Sequence, residues 1–238
     1  METIQPFRHL RRVYCAGPLF NQAERSEMEA IGAALRARGF DPFLPHEEVQ
    51  FSRIHPLLVE WGMTPAEAGR VLHEAIFALD VYYVVLGCGS LVLNLNGRVP
   101  DEGAVAEATM AWMLGKPLVF YKADSRSLIE GRDNPILAGQ TRFERVERLD
   151  AIGPALERAV RRGGVDPTTA VSCPAHLGET LRAGSQFVEQ LEATGPERPA
   201  EPIARIVREL FGRSLCQPML AGSDSLRGEM LSEPGESR

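Results

Sequence analysis

Short apolar segments alternate with helical patterns along residues 11–160, and this alternation is the feature that most limits the fold. Between the first two apolar segments, Met28, Ile31, Ala34 and Leu35 recur at the 3.6-residue helical period. The same order of segments recurs further along the chain. Because neighbouring parallel strands need crossover helices, the pattern predicts a parallel β-sheet with helices on both faces.

The predicted elements follow one another in a regular order. Strands are expected at 13–16, 40–45, 90–96, 117–122 and, as a last edge strand, 141–146. Helices are expected at 23–38, 64–87, 103–115 and 149–162. Ligands of such sheets bind at the carboxyl ends of the strands. The candidate ligand-binding loops are therefore 16–22, 46–63, 95–103 and 121–140, and the second of these is predicted to be long and irregular.

The character of the chain changes after Gly163. Residues 165–171 are a predicted linker, and two amphipathic patterns at 179–193 and 201–213 predict helices that pack on the core or on a partner subunit. From about Gly222 the chain is rich in glycine, serine and glutamate, which is typical of disorder. The predicted organisation is an α/β domain over 1–163, a helical extension over 164–214 and a flexible tail over 215–238.

Composition excludes several classes of partner and location. With 26 basic and 32 acidic residues, the net charge of −6 argues against binding to nucleic acid or to an anionic membrane. The four cysteines form no CxxC pair, so free thiols are expected. METIQPFRHLRR has no apolar signal-peptide core, and no apolar run approaches the ~20 residues of a membrane span. These features predict a cytoplasmic protein.

One carboxylate stands in the apolar helix predicted at 103–115. Glu107 is its only charged side chain, and helical spacing places it on one face with Met110, Ala111 and Leu114. A buried charge costs several kcal/mol unless it is paired or used. Glu107 therefore either reaches the surface or a nearby hydroxyl, or it acts as a nucleophile or general base near the positive helix N-terminus.

A sugar carbon is the usual target of a nucleophilic carboxylate in an enzyme. Asp101 precedes Glu107 at the predicted start of the helix, where it could hold or protonate a leaving group. A plain helix N-cap is the alternative interpretation of Asp101. Gly103 leaves out a side chain where a ligand would approach the helix start.

Four segments resemble the nucleoside 2-deoxyribosyltransferase family. They are YCAGPLF at 14–20, NGRVPDEGAVAE at 96–107, GKPLVFYKAD at 115–124 and DNPIL at 133–137, within a resemblance that covers about residues 11–160. The resemblance implies a flavodoxin-like three-layer α/β/α fold with a five-stranded, mainly parallel sheet. It also implies transfer of 2-deoxyribose between nucleobases through a covalent glycosyl-enzyme intermediate. That chemistry needs no metal and no organic cofactor.

The resemblance also assigns roles to residues. Glu107 matches the nucleophile, Asp101 the aspartate that contacts the base and assists its departure, and Tyr14 the tyrosine that positions the nucleophile. Asn134 matches an asparagine that binds the sugar 5′-hydroxyl from a neighbouring subunit, which implies a homo-oligomer with a shared active site. The remaining expected substrate-binding residues are Asp80, Phe20, Gln22, Gly17, Gly103 and Arg98.

Two other functions remain open at the level of sequence. The first is an N-glycosidase that hydrolyses a nucleoside or a nucleoside 5′-monophosphate, with Arg98, Lys122 and Arg126 as candidate phosphate ligands. The second is a nucleoside-binding module without turnover, which departures from the family pattern at Ala104 and Ala108 and the added C-terminal segment would fit. His46, His55 and His73 share no ligand spacing on one helix face, so they are interpreted as solvated or core histidines rather than a metal site.

Overall fold

A four-stranded parallel sheet forms the centre of the protein. The structure is a computed structural model that describes residues 2–4, 11–97, 99–124, 133–163 and 171–212. The strands are β1 (Glu2–Ile4), β2 (Arg12–Ala16), β3 (Asp41–Phe43), β4 (Ser90–Asn94), β5 (Leu118–Tyr121) and β6 (Val171–Cys173). The central sheet has the order β3-β2-β4-β5, while β1 and β6 form a separate antiparallel pair. This parallel order fits the predicted flavodoxin-like fold.

Helices cover both faces of the sheet. They are α1 (Gln22–Arg36), α2 (Pro45–Glu48), α3 (Phe51–Glu60), α4 (Pro65–Tyr82), α5 (Glu102–Met113), α6 (Pro135–Ala138), α7 (Leu149–Arg162), α8 (Ala175–Ala193) and α9 (Ala200–Phe211). A π-helical turn, Tyr83–Gly87, continues α4, and a 3₁₀ turn, Gly139–Thr141, follows α6. The predicted three-layer α/β/α architecture is confirmed.

Successive residues of β2 face opposite layers because side chains alternate along a strand. Val13 and Cys15 pack in a cluster with α1 and α7. Tyr14 and Ala16 pack in the other cluster, with α4, α5 and the C-terminal helices. The two faces of the sheet therefore have different neighbours, and the hydroxyl of Tyr14 lies on the α4–α5 side.

The predicted fifth strand does not form. Val146 makes a single parallel bridge with Tyr121, through one hydrogen bond on each side of it. Arg142 and Phe143 have positive φ angles of 57° and 67°. Two consecutive left-handed residues turn the chain away from the extended conformation, so the segment 141–146 cannot run along β5.

The prediction of a long irregular loop over 46–63 is also wrong. This segment contains most of α2 and the ten-residue helix α3. The buried residues Ile54 and Leu58 are one helical turn apart and face the core. Pro56 lies inside α3, and a proline in that position normally argues against a helix, which is why the sequence pattern was misleading.

Capping residues set the start of the helices that carry the site. Asn21 caps α1 and Thr64 caps α4, each in a capping box with a glutamate three residues later. Asp101 caps α5, where its side chain accepts a 2.8 Å hydrogen bond from the Ala104 backbone N–H. Asp101 is therefore the N-cap of α5, and its carboxylate lies at the N-terminus of that helix.

The two predicted C-terminal helices pack on the core. α8 lies against α4, and α9 lies against α3 and α4, with Phe187 and Phe211 fully buried between them. The predicted linker 165–171 is described only at Val171, which begins β6. The flexible tail expected over 215–238 lies outside the described residues, and the domain boundaries stay a prediction. No helix within the described ranges has both the length and the apolarity that crossing a membrane requires.

Candidate active site

Glu107 is joined to the central strand of the sheet by one hydrogen bond. The hydroxyl of Tyr14, a residue with no solvent exposure on β2, donates to Glu107 Oε1 at 2.8 Å. Small side chains on the same helix, Ala104, Ala108 and Ala111, are buried against the sheet and let α5 approach it closely. The carboxylate therefore points toward β2 rather than away from the protein.

Asp80 is the second carboxylate at this position. It lies near the end of α4 and interacts with the same Tyr14 hydroxyl. Burial raises the pKa of Asp80 from 3.8 to about 7, and the hydrogen bond with Tyr14 opposes that rise. Burial also raises the pKa of Glu107 from 4.5 to about 8, with further contributions from the negative charges of Asp80 and Asp101.

The two carboxylates share about one negative charge near neutral pH, because the ionisation of one disfavours the ionisation of the other. The Tyr14 hydroxyl has one proton, and it donates that proton to Glu107. This hydrogen bond stabilises the ionised form of Glu107, which is the form that can act as a nucleophile, and it opposes the effect of burial on the pKa of Glu107. Asp80, whose pKa is also raised, is the second group of this pair that can hold a proton near neutral pH.

A cavity of about 600 Å³ lies beside Asp80, the member of this pair that lines its wall. Its wall includes Leu19, Arg25, His46, Phe51, Leu79 and Asp80. The cavity joins the loop after β2 to the segment after β3 and to the last turns of α4. It therefore lies at the carboxyl ends of two adjacent strands, where the sheet topology places ligands.

His46 is a polar residue of this cavity to which the sequence interpretation gave no ligand-binding role. Both of its ring nitrogens are buried and have no hydrogen-bond partner in the protein. Burial is the largest influence on His46 and lowers its pKa, so the ring is neutral at physiological pH. A neutral imidazole offers one donor and one acceptor to a ligand. The position of His46 directly after the predicted strand 40–45 was the available signal, and it was obscured by the prediction of an irregular loop.

The sequence was compared with models of known protein families. The family model described as "Nucleoside 2-deoxyribosyltransferase" matches residues 13–144. The chain belongs to this family. The matched range includes Tyr14, Asp80, Asp101, Glu107 and Asn134, and it ends before α7.

Comparisons with individual proteins add little. The crystal structure of a conserved protein from Enterococcus faecalis aligns with 17% sequence identity and a TM-score of 0.41. The alignment covers 63% of this chain and 99% of that chain. No curated protein matches the sequence.

In this deoxyribosyltransferase-family chain, the other predicted site residues lie around the same end of the sheet. Phe20 is 78% exposed in the loop before α1. Gln22 is exposed on the first turn of that helix, 3.4 Å from the Ser26 hydroxyl. Asn134 is exposed and caps α6 by accepting a hydrogen bond from the Ile136 backbone N–H. None of the three is shown in contact with Glu107.

Gly17 and Gly103, the two glycines predicted to line the site, differ in what a side chain at each position would contact. A Cβ on Gly17 would lie 2.6 Å from Met28 Sδ and 2.9 Å from Asn94 Cβ, so this glycine is required by packing. A Cβ on Gly103 would lie 3.3 Å from Asp101 Oδ2. The missing side chain at Gly103 therefore leaves the Asp101 carboxylate uncrowded.

The candidate phosphate ligands are the least supported part of the prediction. Lys122 is buried and forms an ion pair with Asp133, which also pairs with Arg145. A phosphate bound to Lys122 would have to compete with that carboxylate. Arg98 and Arg126 lie outside the described residues.

Proposed function

We propose that this protein transfers 2-deoxyribose from one nucleobase to another, with Glu107 as the nucleophile. The observation that carries the proposal is the hydrogen bond from Tyr14 to Glu107, beside Asp80 and the adjoining cavity. Membership of the deoxyribosyltransferase family supports the same reaction class. The cavity is the proposed site of the nucleobase.

The first step forms a bond between a Glu107 carboxylate oxygen and C1′ of the sugar. The N-glycosidic bond breaks, and its electron pair stays on the departing base, which takes up a proton. Asp80, with its raised pKa, supplies that proton, while Asp101 at the helix start contacts the base. In the second step a nitrogen of the new base forms a bond with C1′ and gives its proton to Asp80, while the bond between C1′ and Glu107 breaks and its electron pair returns to the Glu107 carboxylate.

An exchange assay tests this proposal directly. Incubating a 2′-deoxynucleoside with a different free base is expected to give the exchanged deoxynucleoside, and a covalent sugar adduct on Glu107 should be detectable by mass spectrometry. Glu107→Ala should abolish both signals. Glu189→Ala, which removes an exposed carboxylate on α8, is the matched control and should leave the rate unchanged. If no combination of donor deoxynucleoside and acceptor base gives the exchanged deoxynucleoside at millimolar substrate, the proposal is overturned.

The same assay separates the alternative reactions. Release of free base without an acceptor would identify a hydrolase, and comparison of a nucleoside with its 5′-monophosphate would show whether a phosphate is needed. The ion pair between Lys122 and Asp133 counts against the phosphate version. Trapping the adduct would exclude a binding module without turnover.

Asn134 is the proposed contribution of a second subunit. Its exposed position at the start of α6 fits a residue that acts outside its own subunit. Mixing Glu107→Ala and Asn134→Ala proteins tests this, since a shared site would regain activity in mixed oligomers. Light scattering on the same samples would measure the number of subunits.

A further inference from the structure

The two C-terminal helices lie outside the family match, yet they pack on the walls of the cavity beside Asp80. The matched range ends at residue 144, whereas α8 and α9 begin at Ala175 and Ala200. Three separate contacts join these helices and their connection to the cavity walls. Each contact reaches a residue of the cavity or a residue within two positions of one.

The first contact is between the backbone of α8 and the turn of α4 that carries Asp80. A Cβ on Gly184 would lie 2.4 Å from the Ala78 carbonyl oxygen and 2.7 Å from Tyr82 Cβ. These distances are too short for any side chain, so the two helices touch through their backbones. Helix α8 therefore packs directly against the turn of α4 that carries Asp80.

The second contact is aromatic. The Phe187 ring on α8 lies 6.5 Å from the ring of Phe51, a residue of the cavity wall, measured between centroids. Phe187 also meets Phe211 of α9 edge-to-face at 5.6 Å. A continuous aromatic cluster thus runs from the cavity wall into both C-terminal helices, and such pairs stabilise packing beyond the area that they bury.

The third contact is an ion pair between the α8–α9 connection and α2. A guanidinium nitrogen of Arg198 lies 2.6 Å from Glu48 Oε1, and the two side chains are 22% and 15% exposed. Glu48 Oε1 also accepts a 3.1 Å hydrogen bond from the Tyr83 hydroxyl. Arg198 adopts a positive φ of 46°, a conformation that costs about 1 kcal/mol and persists where surrounding contacts hold it.

We propose that the C-terminal extension is the outer support of the cavity, and that Arg198 is a positioning residue that holds α2, and with it His46, through Glu48. The identity of the ligand as a nucleobase rests on the proposed function. The extension touches no reacting atom in this scheme. It instead sets how well the wall formed by α2 and α3 is ordered before the base arrives, which determines affinity more than turnover.

Steady-state kinetics and hydrogen–deuterium exchange test this together on the full-length protein. Arg198→Ala should raise KM for the deoxynucleoside about tenfold while kcat changes less than about twofold, since uniform binding is lost. Amide exchange over residues 45–51 should become faster. Arg198→Lys, which keeps the charge, should recover part of the lost affinity. Arg205→Ala, which removes an exposed i,i+4 pair with Glu201 on α9, should behave like the wild type.

Each outcome bears on one proposal or the other. If the wild-type protein does not transfer deoxyribose between bases, the proposed function fails. The rate of amide hydrogen–deuterium exchange over 45–51 then decides the role of the extension by itself. If Arg198→Ala leaves amide hydrogen exchange over 45–51 unchanged, the support proposal is overturned. It is also overturned if amide hydrogen exchange becomes faster while the KM of an active enzyme stays the same. If Arg198→Ala does not fold, Glu48→Gln removes the same ion pair without shortening either side chain and is judged by the same measurements.

Discussion

The Tyr14 hydroxyl on β2 and the Glu107 carboxylate on α5 are joined by a 2.8 Å hydrogen bond, although 93 positions separate them in the sequence. The bond crosses from the sheet to a helix of the covering layer, so it depends on the whole βαβ arrangement between the two residues. It also explains how a carboxylate is tolerated on an apolar helix. Part of the cost of burying Glu107 is offset by a donor that is itself fully buried.

Replacing Tyr14 by phenylalanine should shift the pH dependence of the reaction. The hydroxyl lowers the pKa of Glu107 and of Asp80, so its loss raises both, and Glu107 ionises only at higher pH. The acid limb of the kcat/KM profile should move to higher pH, and the rate at neutral pH should fall by about 10- to 100-fold. The measurement is a series of exchange rates between pH 5 and pH 9.

Tyr121→Phe is the control for that experiment. Tyr121 is also a buried strand tyrosine, but it packs in the cluster on the opposite face of the sheet, with α1 and α7. Its replacement should leave the pH profile in place. A Tyr14→Phe profile that falls in height without moving along the pH axis would show that the hydroxyl orients Glu107 but does not tune its charge.

Glu107→Gln should make the folded protein more stable at alkaline pH. The pKa of Glu107 is raised from 4.5 to about 8 by burial, so between these values the folded state binds more protons than the unfolded state does. The free energy of unfolding therefore falls as pH rises through this window. A glutamine carries no charge to bury and avoids that loss, so the Tm of Glu107→Gln should exceed that of the wild type by several degrees at pH 8.

The advantage should shrink as the pH is lowered and should vanish near pH 4.5, where Glu107 is protonated in the folded state. Thermal melts at half-unit pH steps would measure it. Asp80 remains in the variant, and its own raised pKa leaves a shallower fall of stability toward pH 7. An equal Tm difference at pH 4.5 and pH 8 would contradict the assignment of Glu107 as a buried carboxylate with a raised pKa.

The parts of the fold that could be predicted from sequence are those fixed by local pattern. The helix over 149–162 was predicted with the observed bounds because its apolar residues keep one period throughout. The edge strand at 141–146 was not excluded, because nothing in the residue types of Arg142 and Phe143 indicates left-handed conformations. Helix α3 was missed because Pro56 outweighed the helical spacing of Ile54 and Leu58.

The site divides in the same way. Glu107 was predicted because a lone charge on an apolar helix is visible in one dimension. Asp101 was predicted from its position at the helix start, and the role of Tyr14 came from the family resemblance. His46 was not predicted, because what marks it is the absence of hydrogen-bond partners for its ring nitrogens, and that property exists only in three dimensions. The contacts of Gly184 and Arg198 with the cavity walls likewise join segments that no local pattern relates.

His46→Ala should weaken nucleoside binding. The neutral ring of this cavity residue has one donor and one acceptor that no protein group uses in a hydrogen bond, and their removal should raise KM by about tenfold with a smaller change in kcat. His46→Gln keeps one donor and one acceptor, so it should retain part of the affinity. His73→Ala, at an exposed position on α4, is the control. An unchanged KM in His46→Ala would mean that the ligand does not reach this wall of the cavity.

Gly17→Ala should destabilise the protein although its backbone conformation suits any residue. The added methyl would lie 2.6 Å from Met28 Sδ and 2.9 Å from Asn94 Cβ, and overpacking of this kind costs about 1–3 kcal/mol. Gly69→Ala is the matched control, because a Cβ there meets nothing within 4 Å inside α4 and should stabilise the helix by about 0.5–1 kcal/mol. Urea unfolding measures both. If Gly17→Ala loses activity at wild-type stability, the glycine is needed for the approach of substrate and not for packing.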